Sequence, residues 1–174
     1  EIAIDLGTAN TIIMCDDKIV VDEPSVVAIS MADNKMVAVG RKAQQMIGKG
    51  GTLIRTVRPL RDGVIADFYA CEMMIRGMIK MIPKQNKLFT PNIRMVVCIP
   101  SGSTEVEIRA VRDSSEPAGG RDVYMIYEPM AAAIGMGIDV ESPEGCMVVD
   151  IGGGTTEIAV ISLGGIVANK SIKV

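Results

Sequence analysis

The chain has 174 residues, is 48% hydrophobic and 22% charged, and carries a formal net charge of −3, which excludes a disordered chain and gives no global positive field to draw in nucleic acid. It contains no histidine, so Ser-His-Asp and Cys-His machinery is excluded and any general base must be a carboxylate or a weaker group that orients water. The four cysteines, Cys15, Cys71, Cys98 and Cys146, form no CxxC pair, which argues against zinc and for a reducing cytosol.

Aromatic residues make up only 3% of the chain, with no Trp, so thirteen Met residues must fill the core together with Ile and Val. Residues 1–29 carry three or four short β-branched runs (2–6, 11–15, 18–22 and 25–29). Turn residues such as Asp16-Asp17 and Glu23-Pro24 separate them, which predicts an antiparallel meander. Residues 30–66 mix a short strand (36–39), a short helix (41–47) and Gly-rich turns, and read as a small inserted subdomain. Within it, Gly48-Lys49-Gly50-Gly51 reads as a mobile loop. Over residues 67–82, Glu72, Arg76 and Lys80 recur as one wet stripe. Phe68, Met74, Ile75, Met78, Ile79 and Ile82 cover the rest, which predicts a helix packed on a sheet.

Residues 94–100 predict a strand, with Cys98 in an apolar run that suits an inert buried thiol. Thr104 and Glu107 form a capping box that opens a helix to Ser115, and Pro117 and Gly119-Gly120 end it. A strand over 122–127 and a helix over 130–136, opened by Pro129, follow. This alternation predicts α/β architecture with parallel neighbours. After Pro143 and Gly145, strands at 146–151, 157–162 and 166–174 surround a glycine cluster and open a second unit. The chain starts and stops inside predicted strands, so it reads as a fragment of a longer protein. It shows no signal peptide and no apolar stretch long enough to span a bilayer.

An internal repeat carries the chemistry. Asp5-Leu6-Gly7-Thr8-Ala9-Asn10-Thr11 and Asp150-Ile151-Gly152-Gly153-Gly154-Thr155-Thr156 follow one template, at a constant offset of 145 residues. Each is an apolar strand ending in Asp, then an aliphatic residue, Gly, a turn of small residues, Thr and a second apolar strand. Small residues let backbone N–H groups approach an anion closely. An Asp at the strand end repels phosphate but suits Mg²⁺, which takes oxygen ligands and keeps several waters. Two such hairpins facing each other could grip a triphosphate. Either hairpin alone is equally well read as an ordinary tight turn. No Walker loop is present.

Six segments, DLGTANT, VVDEPSVVAIS, RPLRDGVIADF, IPSGSTEVE, EPMAAAIG and MVVDIGGGTTEIAVISLGGIV, resemble the MreB family of bacterial cell-shape actins. That family belongs to the actin, sugar-kinase and heat-shock-chaperone superfamily. The resemblance implies an actin-like, ribonuclease H-like α/β ATPase fold: a mixed sheet with helices over residues 1–29 and 67–142, an inserted α+β subdomain at 30–66, and the first strands of a second domain at 143–174. It implies that Asp5 and Asp150 position Mg²⁺, and that Gly7, Thr8, Ala9 and Asn10, with Gly152, Gly153, Gly154 and Thr155, contact the phosphates of ATP. It further implies that Glu128, helped by Thr155, orients the attacking water; helix capping is the alternative role for Glu128. Leu88 and Phe89, near Lys84 and Lys87, would insert into the inner membrane surface, or Phe89 would pack on its own domain. The implied protein is a cytoplasmic, membrane-associated filament that works with the cell-wall elongation machinery, with no nucleic-acid partner. A small-molecule kinase or chaperone-type ATPase of the same superfamily is the rival reading. An inactive fragment is the other, because the adenosine-binding half of the family's cleft is expected beyond Val174.

Overall fold

In the computed structural model, which describes residues 1–49, 51–83 and 93–173, β1 (Ile2–Leu6) alternates buried Ile2, Ile4 and Leu6 with Ala3 and Asp5 on the opposite face, where Asp5 lines a cavity. It pairs antiparallel with β2 (Asn10–Cys15), which turns at Asp16-Asp17 into antiparallel β3 (Lys18–Pro24). The meander stops there. The fourth run, β4 (Val27–Ser30), leaves this sheet and pairs with β5 (Met36–Val39) and β6 (Ile54–Val57). Val27, Ala28 and Ile29 are all buried, so β4 lacks the alternation of a strand with one wet face. Helix α1 (Arg41–Gln44) is shorter than the expected 41–47 and gives way to turns. Next comes a hairpin that the composition of residues 30–66 did not announce, β7 (Leu60–Arg61) and β8 (Val64–Ile65) joined by Asp62-Gly63.

Asp67 caps α2 (Phe68–Ile79) by accepting from the Ala70 N–H at 2.9 Å, and Arg76 donates to Glu72 at 2.7 Å on the wet stripe. Phe68 departs from expectation: in the first turn, off the core face, it is 52% exposed. The chain continues through β9 (Ile93–Ile99), α3 (Glu105–Ser115), β10 (Gly120–Tyr127), α4 (Glu128–Gly135), β11 (Cys146–Ile151), β12 (Thr155–Ser162) and β13 (Gly165–Lys173). β9 lies parallel to both β1 and β10, closing a five-stranded mixed sheet in the order β10-β9-β1-β2-β3. The main core lies between that sheet (Ile4, Ile13, Met95, Val97) and α2 (Met74, Ile75, Met78), so methionine does fill the place of aromatic residues.

β11, β12 and β13 form a separate antiparallel sheet. Ala133 of α4 packs on its Val148 and Ile161. The two sheets therefore meet around α4, which positions the site described below. No helix among the described residues is long and apolar enough to cross a membrane.

The capping box on α3 is complete: Glu107 N–H donates to Thr104 Oγ1 at 3.3 Å, and Thr104 N–H donates to Glu107 Oε2 at 2.7 Å. Thr104→Ala is expected to lower stability by about 1 kcal/mol. Urea unfolding measures this, and an unchanged midpoint would show that the box contributes nothing.

Candidate functional site

The sequence repeat is also a repeat of register. In the first hairpin Asp5 pairs with Ile12 and Leu6 with Thr11; in the second Asp150 pairs with Glu157 and Ile151 with Thr156. Each pair keeps the offset of the template, so Asp5 and Asp150 occupy equivalent strand ends. The second turn is closed by the Gly152 N–H donating to the Thr155 carbonyl at 2.8 Å.

The first turn is braced from outside by Ser25, a residue the sequence did not single out. Its N–H donates to the Ala9 carbonyl at 2.9 Å, and its hydroxyl donates to the Gly7 carbonyl at 2.6 Å. Having spent its one proton there, Ser25 Oγ accepts from Thr11 Oγ1 at 2.9 Å. Thr11 is fully buried, so the Thr of the first motif holds the turn and does not face a ligand.

The two turns abut each other, Ala9 against Gly153 and Thr8 against Gly154. The Asp62-Gly63 turn between β7 and β8 joins them, both residues having positive φ as a two-residue hairpin requires. Gly63 N–H donates to Thr8 Oγ1 at 3.0 Å. A Cβ on Gly63 would stand 2.7 Å from Thr155 Cγ2, so only glycine fits there. Asp-Gly suits such a turn, but nothing local in the sequence points to its contact with Thr8, across 55 positions.

Beneath the turns lies a cavity of about 230 Å³. Asp5, Gly7, Thr8, Cys98, Glu128 and Asp150 line it, with Gly63 and all of Gly152, Gly153, Gly154 and Thr155. Small-molecule sites usually span ~300–1,000 Å³, so this space suits phosphates and a cation, not a whole nucleotide. Of the residues proposed from sequence, Ala9 and Asn10 do not line it: Ala9 packs on Gly153, and Asn10 is exposed. Leu88 and Phe89 lie outside the described residues, as does Gly50 of the Gly-rich loop.

The lining is electrically frustrated. Burial first, then the charge of Asp150, raises the Asp5 carboxyl above its ordinary value. Burial, then Asp5, Glu157 and Asp150, pushes Glu128 up to about 8. The Cys98 thiol is driven to about 12 by burial and then by Asp5, Glu128 and Asp150, which keeps it protonated and unreactive. Glu128 is the first residue of α4, whose N-cap is Tyr127, and no side chain caps that helix. The capping alternative for Glu128 thus lacks its hydrogen bond.

Among the described residues no group of three or more Asp, Glu, Cys or His side chains gathers into a complete metal cage. Two mutually repelling carboxylates beside glycine-rich turns are, however, the donor set for a cation that keeps waters and shares phosphate oxygens. The residues fit Mg²⁺ in that mode.

The family model for MreB/Mbl protein matches residues 1–174. The chain is 49% identical to the cell shape-determining protein MreB of Escherichia coli K12 over 179 residues, all of this chain and 51% of that protein. It is 48% identical to the cell shape-determining protein Mbl of Bacillus subtilis, covering 99% of this chain and 52% of Mbl. The crystal structure of MreB5 of Spiroplasma citri bound to AMPPNP superposes with a TM-score of 0.82 at 40% identity, over 99% of this chain and 52% of that one. The chain thus spans about half the length of the curated relatives it matches. A match along the whole sequence, an actin-like fold and two equivalent Asp-bearing hairpins lead to one assignment: the chain belongs to the MreB/Mbl family.

Proposed function

We propose that this chain forms the phosphate and Mg²⁺ side of the ATP site in a filament-forming bacterial actin that maintains cell shape and organises wall synthesis at the inner face of the cytoplasmic membrane. The observation that carries the reading is the pair of hairpins in identical register, with Asp5 and Asp150 on one cavity. A relative of 40% identity solved with AMPPNP supports an adenine nucleotide as the ligand. In this reading residues 1–29 and 67–142 are the core of the first domain, 30–66 its insertion, and 143–174 the opening of the second domain.

Asp5 and Asp150 would hold the cation, and the backbone N–H groups of Gly153 and Gly154 would face phosphate oxygens, the Gly152 N–H being spent on the Thr155 carbonyl within the turn. When bound, Mg²⁺ would supply positive charge that offsets the phosphates and the two carboxylates. Glu128 and Thr155 orient a water toward the γ-phosphate. Ala9 and Asn10 act through the shape of the first turn. Weak self-contacts and weak membrane contacts through Leu88 and Phe89 become effective when multiplied along a filament.

The test uses a full-length protein carrying this chain. ATP with Mg²⁺ is expected to produce pelletable polymer, and Asp150→Asn to weaken Mg²⁺-dependent nucleotide binding by about tenfold, the size of one lost charge-assisted contact. Equal affinity with and without Mg²⁺ in the unmodified protein would refute the metal assignment. Phosphate transfer to a sugar without polymer would favour the kinase reading.

A further inference from the structure

Glu157 has no part in the roles above, yet it is 1% exposed and stands in register opposite Asp150. Its Oε2 accepts from the Ser101 N–H at 2.8 Å. Ser101 lies in the turn that follows β9, closed by the Ser103 N–H donating to the Pro100 carbonyl at 3.1 Å. β13 grips the same turn: Asn169 Nδ2 donates to the Ser101 carbonyl at 3.2 Å, and a Cβ on Gly102 would stand 3.3 Å from Ser171 Cβ. Both backbone polar groups of Ser101 are therefore satisfied by the C-terminal sheet.

The placement of this joint matters. β9 pairs with β1 so that Cys98 is opposite Asp5, and β12 pairs with β11 so that Glu157 is opposite Asp150. Fixing Ser101 to Glu157 fixes the strand that bears Asp5 relative to the strand that bears Asp150. A buried carboxyl is a poor choice for stability alone, because an apolar side chain of similar size usually serves as well or better. Among the described residues, Glu157 Oε1 and Ser101 Oγ are also buried without partners, a further cost. We propose that Glu157 is a positioning residue that latches the β9 turn to the second hairpin and so sets the spacing of the two halves of the phosphate cradle.

The latch rests on the nucleotide reading only for what the cradle holds, and the experiment separates the two. In the full-length protein, Glu157→Met and Glu157→Gln are compared with the unmodified chain. Hydrogen exchange at the Ser101 amide is followed without nucleotide, and AMPPNP affinity is measured with Mg²⁺. Met removes the acceptor; it is expected to speed exchange and weaken binding, each by roughly tenfold, while the melting temperature holds or rises. Gln keeps a carbonyl oxygen for the Ser101 N–H and is expected to restore both properties to within about twofold. Normal exchange or normal affinity in the Met variant overturns the latch, and so does a Gln variant as impaired as Met. An unmodified protein that binds no nucleotide defeats the ATP reading, and the exchange measurement still decides the latch.

Discussion

Glu128→Gln is expected to slow phosphate release by about 10²-fold or more and, in the same protein, to raise stability at alkaline pH. The two effects have separate causes: the first would be the loss of a carboxylate beside the attacking water, the second the removal of a half-buried, repelled charge. The Glu128 carboxyl is held at about 8, against an ordinary 4.5, by burial and by Asp5, Glu157 and Asp150. A group whose folded value is raised contributes stability that is complete below its unfolded value and is lost as pH rises through its folded value. The window for Glu128 therefore runs from about 4.5 to about 8. Above it the native state carries a buried, repelled charge whose cost is on the order of a few kcal/mol. Gln has nearly the same shape and no charge, so its melting temperature should fall less across that window than that of the unmodified protein, the raised Asp5 carboxyl being common to both. Melting curves at pH 5 and pH 9, with chelator and without nucleotide, measure the difference. Parallel pH profiles would show that Glu128 is not strained.

The same geometry links the cation to the proton. Near neutral pH, Glu128 carries less negative charge than an ordinary carboxylate and is a weaker acceptor for a water proton. Asp5 and Asp150 would hold a cation whose positive charge would offset two of the charges that raise Glu128. A residue that costs the resting fold stability and is proposed to act in the loaded state would fit the general conflict between stability and activity.

What the sequence disclosed, and what it hid, divides along physical lines. The two hairpins were legible because their constraint is local: a strand end, a glycine turn and a return strand lie within seven positions. The capping box at Thr104 and Glu107 was legible for the same reason. Partner choice between strands is different. Alternation says that a segment is a strand but not which sheet it joins, and β4 went to the small sheet. Ser25, Gly63 and Glu157 were missed because their roles lie in contacts made 18, 55 and 56 residues away. A serine after a proline, or a glutamate inside an apolar strand, looks in one dimension like a turn former or a surface residue. Only the fully buried position of Ser25 and the near-complete burial of Glu157 expose the contradiction.

The contact between the hairpins supports the other large prediction, the loss of nucleotide binding in Gly154→Val. A Cβ on Gly154 would stand 2.5 Å from Thr8 Oγ1, 2.9 Å from Thr8 Cβ and 3.0 Å from Thr8 Cγ2. Valine adds two methyl groups to that clash and is stiff at χ1, so the two turns must separate. Thr8 would then lose the Gly63 N–H that it accepts at 3.0 Å. Misplacing positioned groups by about 1 Å costs on the order of 10²-fold, so affinity for the Mg²⁺ complex of AMPPNP should fall by at least about that factor. Gly154 lies in the turn between β11 and β12, outside the five-stranded sheet and α2 that form the main core, so melting temperature should change less than affinity. Gly135→Ala is the control: nothing lies within 4 Å of a Cβ there, and alanine is the better helix former. It should leave binding unchanged. Relief by a second change decides whether the clash is the cause. Thr8→Gly removes every Thr8 atom named above, so in the Gly154→Ala background it should recover part of the affinity that Gly154→Ala alone loses. If the two changes simply add, the hairpins do not act through their contact, and the cradle is not set by the closeness of Thr8 and Gly154.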